Sequence, residues 1–306
     1  MTSSSSDVLK NTQPSKDLAW WVPNIDHKIT PEVRLAIFCT YEISQSMCSS
    51  SVLQVRQVLE TYSNIAPDDV VDHVYAIREK AWSIRPWPCT GIGNFFAPTL
   101  PKLSCYAEIL SRIKSGGKIL DLGCYCGTDL RRLALDGCPQ ENLYGTDLIN
   151  HWDLGFALYR DEHKFHATYV EADFLHPNTE LLGLAGKVDA FSTIHFLHNW
   201  DWETQLKAAT AMCSLSTLGN KVVGAQVGTQ SKDSTKWIRE GGQEGFKAQS
   251  VESFARLWEV AGGMTGTKWE TDAEIRDWEV FGYRREETKY LGEGAGILEF
   301  AVTRVE

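Results

Sequence analysis

Three acidic residues stand where a short apolar run gives way to polar sequence: Asp121, Asp147 and Asp173. The first opens Asp121-Leu-Gly123-Cys124-Tyr-Cys-Gly127, set between an expected strand and an expected helix. Gly123 permits a tight turn with close backbone approach, and Gly127 lets the next helix pack near the strand. Such a loop offers backbone N–H groups and a helix N-terminus to a ligand. Asp147 ends Leu143-Tyr-Gly-Thr-Asp147, where a carboxylate can accept hydrogen bonds from a ribose hydroxyl pair. Asp173 follows Val170-Glu-Ala and precedes Phe174. A carboxylate there can meet an adenine amino group while the Phe174 ring packs beside the base. Any one of these acids alone reads more simply as a cap or a solvated loop charge. Three strand ends of the expected type outweigh that reading. The loop lacks the GxGxxG spacing and no GK[ST] follows, which disfavours dinucleotide and nucleoside-triphosphate sites.

A second group of residues could act on a substrate. Thr193-Ile-His195-Phe-Leu-His198-Asn-Trp200 follows the fourth expected strand. His195 or His198 could serve as a general base near neutral pH, although histidines more often pack or hydrogen-bond. Arg85 could pair with a carboxylate through its planar fork, or form a structural ion pair. Gln226 ends the fifth strand, where a side chain can reach a pocket. Eleven tryptophans occur. Trp82, Trp87 and Trp200, with Trp20, Trp21 and Trp237, could wall an apolar site, or simply pack in the core.

These residues need a scaffold. From Lys118 onward strands and helices alternate: strands at 118–122, 143–147, 167–172, 188–194 and 221–227, with helices at 128–135, 153–161, 200–215 and 250–261 between and after them. Late strands are expected at 269–275 and 297–305. The pattern implies a mostly parallel, doubly wound α/β sheet. Upstream, Thr30-Pro31, Val52–Leu59 and Pro67–Ile77 suggest helices. Arg85-Pro-Trp87-Pro88 reads as an extended crossing segment. The chain divides into a helical lid or substrate segment, 1–100, and a cofactor-binding domain, 101–306.

Composition excludes several classes. The 306 residues carry a formal charge of −10, with 43% hydrophobic residues. That balance argues against nucleic acid, whose affinity comes from neutralised phosphates. No apolar run is long enough to span a membrane. The polar start, Met1–Asp7, lacks the pattern of a signal peptide. Eight cysteines are scattered with no CxxC pair, so no metal site is expected. Free thiols and a cytoplasmic location are the consistent reading.

Asp121–Gly127, Gly145-Thr-Asp147 and Ala172-Asp173-Phe174 resemble the cofactor motifs of class I S-adenosylmethionine-dependent methyltransferases. More narrowly, His73-Val-Tyr75, Lys80-Ala-Trp82, Arg85–Cys89, Asp136–Pro139, Glu141–Gly145 and Gln226-Val-Gly228 resemble fungal secondary-metabolite methyltransferases of meroterpenoid and polyketide pathways. The similarity extends through Val251–Phe254 and Thr265–Trp269, about three quarters of the chain. It implies a Rossmann-like, seven-stranded sheet with the last strand antiparallel, a homodimer, and S-adenosyl-L-methionine as cofactor. Asp121, Gly123, Cys124, Gly127, Asp147, Leu148, Asp173 and Phe174 would bind that cofactor. Trp82, Arg85, Trp87, Trp200 and Gln226 would meet a small-molecule substrate. Known relatives are similar to carboxyl O-methyltransferases, so an O-methyl transfer to a terpenoid or polyketide acid is expected. A carboxylate is already ionised at pH 7 and needs no base. The rivals are N- or C-methylation, and a methyltransferase-like cyclase that does not consume its cofactor.

Overall fold

The computed structural model describes residues 58–306 except 86, 92, 232–234, 239–243, 284–287, 289–290 and 292. Trp20, Trp21 and most of the expected lid lie outside the described residues, as does the side chain of Trp237.

Short strands at Ile119–Leu122 (β1), Leu143–Asp147 (β2), Thr168–Glu171 (β3), Ala190–Ser192 (β4) and Lys221–Thr229 (β5) pair in parallel. Strand β1 is buried throughout, as a central parallel strand covered on both faces must be. Ala295–Arg304 (β9) then runs antiparallel to β5, and Trp269–Arg276 (β8) antiparallel to β9. The seven-stranded order is β3-β2-β1-β4-β5-β9-β8. Chain order reverses between β1 and β4, and ligands of open α/β sheets bind in the crevice at such a switch point. A separate hairpin pairs Thr235–Ile238 (β6) with Glu244–Ala248 (β7). Sequence periodicity does not reveal it.

Helices cover both faces. One layer contains Tyr106–Lys114 (α3) and Thr128–Leu135 (α4), whose Ile109, Ile113, Leu130 and Leu133 are buried with Trp152 of Trp152–Tyr159 (α5). The other contains Trp202–Leu215 (α7) and Val251–Thr265 (α8), with Met212, Phe254 and Trp258 buried. A short helix, Thr179–Leu182 (α6), lies between β3 and β4.

A third cluster joins the N-terminal segment to the sheet domain. Val70–Ile84 (α1) buries Val70, Val74 and Ile77 with Leu59, Ile65, Phe95 and Phe96 against Leu158 and Tyr159 of α5. Asp129, in the first turn of α4, accepts hydrogen bonds from the amides of Thr99 (2.8 Å) and Leu100 (2.7 Å). It thereby straps the 94–100 segment over that helix end.

Several boundaries differ from the sequence reading. Pro88 begins a four-residue helix, Pro88–Gly91 (α2), and Arg85 before it is extended. Proline at a first helical position suits that start. Helix α8 does not stop at Gly262-Gly263. It continues to Thr265 and closes on left-handed Gly266. Gly262 serves close packing instead, because a Cβ there would sit 2.5 Å from the Thr267 carbonyl. Helix α7 is capped by Asp201, whose side chain accepts from the Thr204 amide. Asn199 donates to the carbonyls of His195 and Phe196.

Candidate active site

A cleft of about 270 Å³ opens at the carboxyl ends of β1, β2 and β4. Asp121, Gly123 and Cys124 form its floor beside Asp147, Leu148, Asp173 and Phe174. Arg85, Trp87, His195, His198 and Trp200 also line it. Most residues picked from sequence thus converge on one space.

The turn after β1 is built for close approach. Gly123 is left-handed (φ 72°), and a Cβ there would meet the Phe196 ring at 2.7 Å. Gly127 is also left-handed (φ 64°), but it does not line the cleft. A Cβ on it would strike Trp152 at 2.4 Å, so its place is to let α4 and α5 close behind the loop. Asp147 holds that loop through Oδ2, which accepts from the Tyr125 amide at 3.0 Å. Its Oδ1 accepts from the Ile149 amide at 3.2 Å. Each carboxylate oxygen keeps acceptor capacity for a ligand. Asp173 accepts from the Leu175 amide and faces the His176 ring at 2.9 Å. Phe174 stands edge-on to Phe196, and Phe196 to Trp200.

Electrostatics single out the acids. Burial pushes the Asp147 carboxyl up to about 6, against the pull of the Ile149, Tyr125 and Leu148 amides. Burial likewise lifts Asp129 to about 6. Asp121 is held well above the usual carboxylate range by burial, then by the charges of Asp129 and Asp147. Three desolvated acids around one cleft favour a cationic ligand that donates hydrogen bonds. Adenosine carrying a sulfonium and an ammonium meets that description.

His195 and His198 line the same cleft. The main chain of His195 is left-handed (φ 50°), and its amide donates to the Ala225 carbonyl at 2.8 Å. Its Nε2 lies 3.0 Å from the Tyr283 hydroxyl. Nδ1 of His198 accepts from the Val227 amide at 3.0 Å, which places that ring's proton on Nε2. Burial is the main cause that lowers both pKa values, His195 to about 4 and His198 well below the usual range. Both rings are therefore neutral at pH 7.

Arg85 stacks on Trp87, with its guanidinium carbon 4.7 Å from the ring centroid. Two expected substrate residues do not reach the cleft. Gln226 is fully buried and alternates with Val227, which does line it. Strand periodicity sends Gln226 to the opposite face, where both ends of its amide lack a partner among the described residues. Trp82 is half-buried on α1, off the Val74–Ile77–Ala81 face, and does not line the cleft.

Other lining residues were not picked from sequence. Asn94, Phe95 and Thr99 come from the strap held by Asp129, and Trp278, Tyr283 and Leu291 from the β8–β9 connection. Tyr125 lies inside the recognised loop, left-handed (φ 49°), its hydroxyl 2.7 Å from that of Thr90.

The sheet order, the switch-point crevice and the strand-end acids define a Rossmann-like, S-adenosylmethionine-dependent methyltransferase. Residues 49–96 match the family model described as the meroterpenoid methyltransferase N-terminal domain. The chain is 38% identical over 255 residues to O-methyltransferase atr3 of Stereocaulon alpinum, covering 82% of this chain and 72% of that protein. It is 35% identical to O-methyltransferase phiE of a fungal species, covering 74% and 77%. It is 31% identical to the Asnovolin E/Chermesin D methyltransferase nvfJ of Aspergillus novofumigatus, covering 90% and 98%. The chain belongs to this family of fungal secondary-metabolite methyltransferases, and S-adenosylmethionine is its methyl donor. Among the described residues no helix is long and apolar enough to cross a membrane.

Proposed function

We propose that this enzyme is an O-methyltransferase that esterifies the carboxyl group of a small, largely apolar natural product. The observation that carries the reading is a cleft with aromatic walls and one arginine stacked on Trp87. Asp147 holds the ribose diol of the donor, while Asp173 and Phe174 flank its adenine. Asp121, Gly123, Cys124 and Leu148 shape the floor around the rest. When bound, the donor supplies an electrophilic methyl group on sulfur.

The protein's part is orientation. Arg85 engages the acid, Trp87, Phe95 and Trp200 enclose the hydrocarbon, and the acid arrives ionised. Rate then comes from proximity rather than proton removal. Residues 1–100 form the lid in this reading, and 101–306 the donor-binding domain.

The test supplies labelled donor and an extract of the producing organism. The labelled product should lose its methyl group as methanol under mild alkali, as an ester does. An alkali-stable label would reassign the methylated atom. With that substrate in hand, His195→Ala and His198→Ala should each lower kcat by far less than the 10²–10⁴-fold typical of removing a general base. A loss in that range at unchanged substrate affinity would move the reading to a hydroxyl substrate. A pH profile alone does not separate the two cases. A histidine base with its pKa near 4 would also give a flat rate above about pH 6.

Arg85→Lys keeps the charge and loses the planar fork. It should raise KM for the acid roughly tenfold, with kcat little changed. An unchanged KM in steady-state kinetics would remove Arg85 from the substrate site.

A further inference from the structure

The connection from β8 to β9 contributes a polar group that the function above does not use. Tyr283 is 9% exposed, and its ring stands edge-on to both His195 and Trp278. The segment that carries it is tied down on two sides. Lys102 donates to the Phe281 carbonyl at 2.8 Å, and Trp278 Nε1 donates to the Ala295 carbonyl at 2.9 Å. Across the gap, the His195 main chain is held in its left-handed conformation by Asn199 Nδ2, which donates to its carbonyl at 2.8 Å, and its ring stacks on that of His198 with centroids 5.5 Å apart. Both partners of the 3.0 Å Tyr283–His195 contact are therefore held in place.

The direction of that bond follows from elementary chemistry. A phenol is a good donor, and the bare nitrogen of a neutral imidazole is a better acceptor than a phenol oxygen. Tyr283 therefore donates to Nε2, and the single proton of neutral His195 resides on Nδ1. No hydrogen bond from the described residues reaches Nδ1, and His195 lines the cleft. The neighbouring His198 has the opposite tautomer, fixed by the Val227 amide. The charged or titratable groups that bear on the His195 ring are Tyr283, His198 and Lys102.

We propose that Tyr283 is a positioning residue that locks His195 as its Nδ1–H tautomer and so makes it a fixed hydrogen-bond donor to the substrate acid. The second half rests on the ester-forming reading above. The carboxylate loses its charge as the ester forms, so a donor to the oxygen that does not react binds the ground state at least as well as the transition state. Its loss should appear in KM rather than in kcat.

The test is nitrogen-15 NMR of the imidazoles at pH 7, with His195 assigned through bonds to its own backbone. The wild-type protein should show Nδ1 protonated and Nε2 bare. Tyr283→Phe should shift His195 toward the Nε2–H form favoured by free imidazole. It should raise KM for the acid about 3- to 10-fold, as loss of one hydrogen bond would, with kcat within about twofold. The wild-type spectrum tests the tautomer without any variant. A wild-type ring protonated on Nε2, or a Tyr283→Phe enzyme with unchanged tautomer and KM, overturns the positioning role. Product chemistry is read separately. An alkali-stable label overturns the ester reading and with it the acid as acceptor of the bond, whereas the spectrum alone decides what Tyr283 does to His195.

Discussion

Asp161→Ala should destabilise the protein by about 3–5 kcal/mol, the usual cost of leaving one member of a buried ion pair alone. Arg131 and Asp161 are 1% and 0% exposed. They meet as a fork: Nε to Oδ2 at 2.7 Å and Nη2 to Oδ1 at 3.0 Å. The guanidinium lies inside an aromatic box, 4.2 Å from the centroid of Phe165 and 4.9 Å from that of Tyr159. Removing the carboxylate leaves a permanent cation among rings, with no water to solvate it. The effect should also reach the site. Arg131 Nη1 donates to the Cys126 carbonyl at 2.6 Å, inside the loop that carries Gly123 and Gly127. Tyr62 donates to Asp161 Oδ2 at 2.9 Å, so the same carboxylate anchors the N-terminal segment. Thermal denaturation should show a drop on the order of 10 °C. A combined Arg131→Met, Asp161→Leu variant should recover much of it, because packed apolar residues replace such pairs at little cost. A melting temperature for Asp161→Ala within about 2 °C of wild type would mean the pair carries little of the fold.

The pair also shows what a sequence yields and what it withholds. Strand β1, the loop to Gly127 and helix α4 are encoded within a few neighbouring residues, so apolar runs, glycines and helical spacing locate them directly. The same holds for Asp147 and Asp173, whose roles depend on where a strand ends. Arg131 and Asp161 are each ordinary in the sequence. Only the packing of α4 against the turn after α5 makes them partners. Tyr283 likewise reaches the cleft by a connection between β8 and β9, which is expected from no local signal. Gln226 misses the cleft for a different reason. Strand β5 runs to Thr229, two residues past the expected end, and a strand sorts its residues between two faces. Once Val227 faces the cleft, Gln226 cannot. The expected helix 250–261 ends before Gly262-Gly263, since glycine weakens helices. The demand for close approach to Thr267 outweighed that propensity.

Asp147→Ala should weaken binding of S-adenosylhomocysteine by about 1.5–3 kcal/mol, the range for charge-assisted hydrogen bonds. The wild-type enzyme should reveal the same contact through pH. Burial holds the Asp147 carboxyl near 6, above its ordinary value of 3.8. A ribose diol donates more strongly to the ionised form, so the ligand lowers that pKa, and affinity falls as pH drops through about 6. Stability is a poor place to look for this. An acid whose folded pKa is raised adds stability below about pH 6, and this gain is lost as pH rises from about 4 to 6. Asp147 and Asp129 both act in that direction. His151 and His195 are lowered from 6.5 to about 4, chiefly by burial. A base lowered in the folded state costs stability as pH falls across that interval, so the two pairs largely cancel. Binding escapes the cancellation, because only groups that touch the ligand change with it. Calorimetry at pH 6 in buffers of different ionisation enthalpy should show fractional proton release on binding, diminished in Asp147→Asn. Asp121 and Asp129, both raised by burial beside the cleft, would account for any release that persists in that variant. Affinity that stays constant from pH 5 to 7.5, with no proton released, would remove Asp147 from the ribose.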